Sequence, residues 1–389
     1  MDGERRRWLS PPKAKVARSN RAGCASPSGP CCPANRRACL TLDESLPPLA
    51  RIAAGLALGS LGGLAFYGLA LPLPWMLGAL FATMTASVAG LPILGPMRLR
   101  PAIVAVIGVL LGSRFSPAVI GQAGEALVTL SILMVYLATV AAVVVPWYRF
   151  VARQDWTTAY FAGMPGGLSE MVELGEAKGA DVPAIVLAHS LRIVLTIGLM
   201  AVLFRLVLGY DVGAAGGAVA RKTLDLTDAA VLVGCTVLGM LLGAKLRLPA
   251  PSFLGPLILS AAIHMAGITE SAPPGMLINA AQVALGTILG CRFLGIDTRM
   301  LFRAGLYSLG ATVLTLCLAL AGAFAMQAGA GVGIDQALLA LAPGGLTEMG
   351  LIALAIHADV AFVALHHVVR ILVVIVLAPV LVRLVQRGR

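Results

Sequence analysis

The residues most able to do chemistry occur twice. Residues 164–171 read Met-Pro-Gly-Gly-Leu-Ser-Glu-Met and residues 342–349 read Ala-Pro-Gly-Gly-Leu-Thr-Glu-Met, an offset of 343 − 165 = 178. Asp181 and Asp359, His189 and His367, and Arg192 and Arg370 keep that offset of 178. So do Gly108 and Gly286, Gly112 and Gly290, and Arg114 and Arg292. Near the start of each copy, Leu71-Pro72-Leu73-Pro74 with Gly78 matches Leu248-Pro249-Ala250-Pro251 with Gly255 at offset 177. An internal repeat of this kind decides the architecture before any single element does. The duplicated ionisable residues lie in or beside strongly apolar segments, where charge is costly and usually functional.

Pro165-Gly166-Gly167 cannot continue an ordinary helix, because proline lacks a donor and the glycines are flexible. Helical sequence resumes at Leu168-Ser169-Glu170-Met171. A break followed by a helix start bares backbone N–H groups, a ready anion site. Pro343-Gly344-Gly345 repeats the arrangement before Leu346-Thr347-Glu348-Met349. Broken backbone cannot face lipid, so both breaks are expected to face protein or a water-filled cavity. Two broken elements at matching positions of duplicated halves point to a transporter-type site at the bilayer midplane. The candidate solute-binding residues are Pro165, Gly166, Gly167, Ser169, Glu170, Pro343, Gly344, Gly345, Thr347 and Glu348, with Arg192 and Arg370. Capping of their own helix starts is the plainer role of Glu170 and Glu348.

His189 and Arg192 stand three apart on one helix face, and His367 and Arg370 repeat the spacing. Asp181 precedes His189 by eight residues, about two turns and again near that face. Asp181, His189, Asp359 and His367 are the proton-coupling candidates, histidine because its ordinary pKa is about 6.5. Arg192 and Arg370 lie deep in apolar segments and need partners, for which Glu170 and Glu348 are candidates by charge. A structural ion pair pinning the last helix to the broken element is the alternative.

Other polar groups have simpler readings. Arg114 and Arg292 follow Gly-Ser and Gly-Cys near the ends of apolar segments, and snorkelling to the interface accounts for them. His357, Asp359, His366 and His367 cluster locally, but no second carboxylate or cysteine completes a ligand set, so no metal and no cofactor is expected. Glu173, Glu176 and Lys178 match the apolar Leu351, Leu354 and Ile356, so either the site is asymmetric or these three reach water. Cys24, Cys31, Cys32 and Cys39 follow no recognised zinc spacing. Cys235, Cys291 and Cys317 sit in apolar segments and read as packing.

These residues must be positioned by membrane helices. The chain is 59% hydrophobic and 12% charged with a mean hydropathy of +0.91, against about 25% charged in soluble domains. Apolar stretches of roughly 20 residues recur, the length that crosses ~30 Å of hydrocarbon. An all-α polytopic membrane protein is expected. Residues 1–48 form a Pro-, Ser-, Arg- and Cys-rich leader with nine Lys or Arg against four acids, +5 of the formal +11. This composition reads as disorder, and positive charge before the first span favours a cytoplasmic N-terminus. Nucleic-acid binding is the rival reading of that charge, but no DNA-binding fold is visible and direct binding is not expected.

Residues 49–208 form the first membrane repeat, 209–228 a Gly-rich linker and 229–389 the second repeat. Each repeat carries about five spans plus the broken Pro-Gly-Gly element. If that element crosses the bilayer, the repeats are parallel and Lys245, Arg247, Arg299 and Arg303 face outside. If it is re-entrant, the repeats are inverted. Arg98, Arg100, Arg149, Arg153, Lys245, Arg247, Arg299, Arg303, Arg383, Arg387 and Arg389 then lie inside, and only Arg221 and Lys222 fall in a clearly external loop. The positive-inside rule favours the inverted arrangement with both termini cytoplasmic.

The two Pro-Gly-Gly-Leu-[Ser/Thr]-Glu-Met runs, each followed by Asp, His and Arg, resemble the membrane protein family called AbrB, over about residues 49–385. Members carry a duplicated membrane domain and are labelled AbrB family transcriptional regulators or ammonia monooxygenases. The resemblance implies a place in a bacterial inner membrane and an association with regulation of gene expression. It is also similar to the broad set of inverted-repeat transporters. The short β-hairpin DNA-binding proteins that share the name are a different fold. Three readings follow: a transporter-like protein that binds a small, anionic solute at the paired breaks, a membrane-embedded sensor that affects expression indirectly, and a monooxygenase. The last lacks a credible metal-ligand set, so no enzyme is expected. The partners expected are the lipid bilayer and a small solute, with homo-oligomerisation left open.

Overall fold

The computed structural model describes residues 47–71, 73–115, 123–210 and 225–387. The leader 1–48, except its last two residues, and most of the linker 209–228 lie outside the described residues, as do Arg221, Lys222 and Arg389. Among the described residues the protein is helical and has no strand. The helices fall in two series of seven. The first is α1 (Pro48–Gly68), α2 (Pro74–Val88), α3 (Arg100–Gly112), α4 (Ala123–Pro146), α5 (Trp156–Gly163), α6 (Leu168–Glu176) and α7 (Val182–Val202). The second is α8 (Leu226–Lys245), α9 (Pro251–Met265), α10 (Gly275–Gly290), α11 (Thr298–Ala330), α12 (Ile334–Leu341), α13 (Leu346–Ala355) and α14 (Val360–Arg387). Seven helical stretches are long and apolar enough to cross a membrane, at 48–68, 126–151, 182–205, 226–245, 275–293, 298–330 and 360–377. Helices α2 and α9 have 15 residues each, about 22 Å at 1.5 Å per residue, which is short of ~30 Å of hydrocarbon.

The corner before each short helix is duplicated in its backbone. Ala70 and Leu73 have φ of 50° and 44°, and Arg247 and Ala250 have φ of 52° and 49°. Non-glycine residues rarely adopt this left-handed conformation. Prolines at the first helical turn then start α2 and α9, where a missing N–H costs nothing.

The helices sort into two bundles, each built from both repeats. Helices α1, α2, α3, α8, α9 and α10 pack chiefly with one another, and α4 to α7 pack with α11 to α14. In the first bundle α1 runs against α2, with Gly59 beside Ala79 and Gly63 beside Trp75. The third helix of each copy lies on the second helix of the other. Gly108 abuts the Phe253 carbonyl and Gly112 the Leu257 carbonyl, while Gly286 abuts that of Met76 and Gly290 that of Leu80. Neither copy can bury its third helix alone. Small residues allow these approaches, which in lipid supply much of the attraction between helices. The second bundle is tied across copies by Trp147, whose Nε1 donates to the Tyr307 carbonyl at 2.9 Å. The seam between the bundles runs along α3, which meets α13 and α14.

The closest backbone approach is duplicated. A β-carbon at Gly78 would strike the Gly62 carbonyl, and one at Gly255 would strike the Gly239 carbonyl. Gly255→Ala is expected to destabilise the detergent-purified protein by about 1–3 kcal/mol through overpacking. Gly234→Ala on the open face of α8, where nothing lies within 4 Å, should be neutral or slightly stabilising. Thermal melting of the two variants side by side checks this.

Candidate functional site

Each Pro-Gly-Gly run separates two short helices. Helix α5 ends at Gly163, residues 164–167 are non-helical, and α6 starts at Leu168. Helix α12 ends at Leu341, residues 342–345 are non-helical, and α13 starts at Leu346. The chain then returns to where it entered. Asp181, at the start of α7, donates its backbone N–H to Thr158 Oγ1 near the start of α5, at 2.9 Å. Asp359 makes the equivalent approach to Gln336 Oε1 at 3.4 Å. Helix α7 therefore runs alongside α5, and α14 alongside α12, so each broken element is a hairpin whose tip is the Pro-Gly-Gly run.

The buried arginines hold these tips. Arg192 Nη1 donates to the Met164 carbonyl at 3.1 Å, with the Ala162 and Gly163 carbonyls each at 3.5 Å. Arg370 donates to the Ala342 carbonyl at 2.5 Å and the Gly344 carbonyl at 2.9 Å. The last carbonyls of a helix lack intrahelical partners and carry the negative end of its dipole. A guanidinium with five fixed donors suits that place. The arginines' hydrogen bonds thus go to backbone carbonyls and, for Arg192, also to His189, not to Glu170 and Glu348, the partners expected by charge. Carbonyls competed successfully because an element broken by proline leaves them unpaired in an apolar interior.

The glutamates face the other half of each break. Each stands in the first turn of its helix, three residues after the cap glycine. A β-carbon at Gly167 would collide with Glu170 Oε2, and one at Gly345 with Glu348 Oε2. Each carboxylate is therefore folded back over its own helix start, the placement of the acidic member of a capping box. Met171 and Met349, fully buried, fold back similarly: a β-carbon at Gly166 or Gly344 would lie 2.9 Å or 2.6 Å from the methionine Cε. The glycines leave room for side chains of their own motif. Pro165, Pro343 and Gly344 are buried, Gly166, Gly167, Gly345 and Thr347 half-buried, and the side chain of Ser169 lies outside the described ones.

Asp181 caps α7, accepting from Ala184 N–H at 3.2 Å. Asp359 caps α14, accepting from Ala361 and Phe362 N–H at 2.8 and 3.0 Å. The histidines differ between copies. His189 Nδ1 accepts from Arg192 at 2.8 Å, which makes Nε2 the protonated nitrogen, and Nε2–H donates to the Phe161 carbonyl at 2.8 Å. His367 instead turns Nδ1 onto Val363 of its own helix at 3.0 Å, and its buried Nε2 has no partner.

The remaining expectations divide. Arg114 is exposed, consistent with snorkelling. Arg292 is not: it is half-buried, its Nη1 is buried without a partner, and Glu348 and Arg100 lie within electrostatic reach. Glu173, Glu176 and Lys178 are exposed, while Leu351, Leu354 and Ile356 are buried, so the two hairpins differ in their surroundings. His366 stacks on Phe362 with ring centroids 4.1 Å apart. Among the described residues no group of three or more His, Cys, Asp or Glu gathers as metal ligands would. Tyr136 on α4 has no counterpart in the second copy, where Leu314 stands at offset 178, and so carried no sequence signal. It is nevertheless within electrostatic reach of both Arg192 and Arg370.

A family model described as "Transition state regulatory protein AbrB" matches residues 75–386. The Bacillus subtilis (strain 168) "Uncharacterized protein YhjN" is 27% identical over 305 residues, 72% of this chain and 77% of that protein. The Escherichia coli (strain K12) "Putative regulator AbrB" is 25% identical over 326 residues, 82% of this chain and 92% of that protein.

Two outcomes follow from the geometry. Gly345→Ala should cost about 1–3 kcal/mol by overpacking, and the cost should shrink in a Glu348→Ala background, since the carboxylate is what the new methyl strikes. A double-mutant cycle by thermal melting measures the coupling. His189→Ala should destabilise more than His367→Ala, by roughly 1–3 kcal/mol, because it strands a buried carbonyl and an arginine N–H. Equal losses in paired melting curves would contradict that difference.

Proposed function

The chain belongs to the AbrB family of integral membrane proteins, and on that premise we propose that it is a secondary transporter for a small anion held between the two hairpin tips. The observation that carries this reading is charge. Arg192 and Arg370 are 5% and 4% exposed, they lie within electrostatic reach of one another, and among the described residues their hydrogen bonds go to backbone carbonyls and, for Arg192, to His189 rather than to a carboxylate. Carbonyl dipoles offset part of two buried positive charges, and burial of unpaired charge is costly. A small anion entering between the tips would complete the compensation.

The arrangement of the helices supports the same reading. Both tips and both arginines belong to one bundle, and the glycine-packed bundle meets it along a limited seam, as rocking or sliding requires. With the hairpins taken as re-entrant and the short α2, α3 and α9 counted as crossings, each repeat has five crossings and the repeats are inverted. Arg100 at the start of α3 lies within electrostatic reach of Arg292 at the end of α10, as equivalent helices running in opposite directions would place them. Positive charge at the end of α8 and the start of α11 then falls on the cytoplasmic side. In this reading the protein is not an enzyme and does not bind nucleic acid directly. The solute and the lipid are its partners.

A sensor that affects gene expression is the second reading, favoured by the word "regulator" in the name of the Escherichia coli relative. Both readings need the same anion site, and flux separates them. In proteoliposomes preloaded with acetate, succinate or phosphate, counterflow of the labelled anion should exceed that of empty liposomes for at least one of them. Arg370→Gln should reduce it at least tenfold, the loss expected when a charged hydrogen-bond donor is removed. Anion binding without counterflow would favour the sensor.

A further inference from the structure

Tyr136 is 4% exposed, and its hydroxyl is buried with no hydrogen-bond partner. Its ring lies by Gly322 of α11, at the position where Leu341 also packs, one residue before the Ala342 carbonyl that Arg370 holds. Arg192 Nε and Arg370 Nε are also buried without partners. Tyr136 lies within electrostatic reach of both arginines, so donors on α4, α7 and α14 that act on one another are left without partners, as is His367 Nε2. Buried polar groups are nearly always paired, so a group of unpaired ones calls for an explanation.

We propose that Tyr136 donates directly to the bound solute and that, with the two arginine Nε groups, it makes the site one for a small oxyanion such as a carboxylate. This rests on the anion-site reading above and adds the residue that shapes its selectivity. Donors entering from three helices are met more readily by an anion with several oxygens than by a single halide ion. All three groups are donors in this role, and every acceptor lies on the solute. Tyr136 stands where the other repeat has Leu314, so the site is asymmetric about the relation between repeats. An asymmetric solute, with an oxyanion at one end and an apolar remainder, fits such a site.

The structure also says what Tyr136→Phe should do without solute. A hydroxyl that lacks a partner contributes nothing by its presence, so its removal should leave the melting temperature of the unliganded protein unchanged or raised. A hydroxyl held by protein would do the reverse.

The experiment is thermal melting of the full chain in detergent, with wild type, Tyr136→Phe and Arg370→Gln titrated with acetate, succinate, phosphate and chloride at constant sodium. We expect at least one oxyanion, and not chloride, to raise the melting temperature of wild type by mass action. Tyr136→Phe should weaken its apparent affinity roughly tenfold or more while melting no lower without anion. Wild-type affinity in Tyr136→Phe, with loss in Arg370→Gln, would overturn the role of Tyr136 and keep the anion site. A lowered melting temperature of unliganded Tyr136→Phe would assign the hydroxyl to packing and overturn the proposal. Chloride binding as tightly as the oxyanions would overturn the selectivity. No stabilisation of folded wild type by any of the four would overturn the anion site and the proposal together.

Discussion

A guanidinium group on the end of a broken helix is the contact on which the rest of this molecule depends. Arg192 and Arg370 sit on apolar helices, and a charge there needs partners from within the protein. A helix stopped by proline has carbonyls without partners and needs donors as badly. Each defect satisfies the other: Arg192 takes the carbonyls that end α5, and Arg370 those that end α12. The bargain also fixes geometry. It holds α7 along α5 and α14 along α12, which keeps each hairpin tip at the depth of its arginine. The opposite half of each break has the complementary need, bare N–H groups, and the folded-back carboxylates of Glu170 and Glu348 lie there.

The glycine-rich bundle answers a different demand. Nothing in lipid drives apolar helices together by water exclusion, so close backbone approach supplies much of the attraction. Gly62 with Gly78 and Gly239 with Gly255 let paired helices touch at backbone level, and Gly108, Gly112, Gly286 and Gly290 let the third helices do so across copies. Such surfaces tolerate little displacement, because any added atom meets backbone. Both bundles also bury large side chains, Phe253, Met76 and Leu110 in this one and Phe161, Leu133 and Met171 in the bundle with the tips. A stiff bundle beside one that carries the charged tips is the division of labour on which the proposed transport reading relies.

Much of this was legible in the sequence. The repeat, the break at each Pro-Gly-Gly run and the shared face of His and Arg are local patterns, and local patterns survive into structure. AbrB membership was legible for the same reason, since its motif is short and contiguous. What failed was partner choice. Charge suggested Glu170 and Glu348 for the arginines, but a sequence does not display its unpaired carbonyls as candidates. Arg292 looked like a snorkelling residue because its distance from a helix end was visible and the neighbouring α13 was not. Tyr136 was invisible, since an isolated tyrosine in an apolar helix has no periodicity, no motif and here no duplicate.

The departures from symmetry are as informative as the repeat. His189 and His367 are the same residue in the same motif, yet one bridges its arginine to the Phe161 carbonyl and the other turns away onto its own helix. The carbonyl equivalent to that of Phe161 belongs to Leu339, on the facing half-helix. One sequence motif therefore supports two hydrogen-bonding states, and both are present in one molecule. One hairpin carries Glu173, Glu176 and Lys178 at the surface of the molecule, while Leu351, Leu354 and Ile356 close the other in protein. A protein that exposed a site alternately to two sides would need two such conditions of its repeats. Here their different surroundings, set by the sequence differences between the two copies, hold them apart in a single structure.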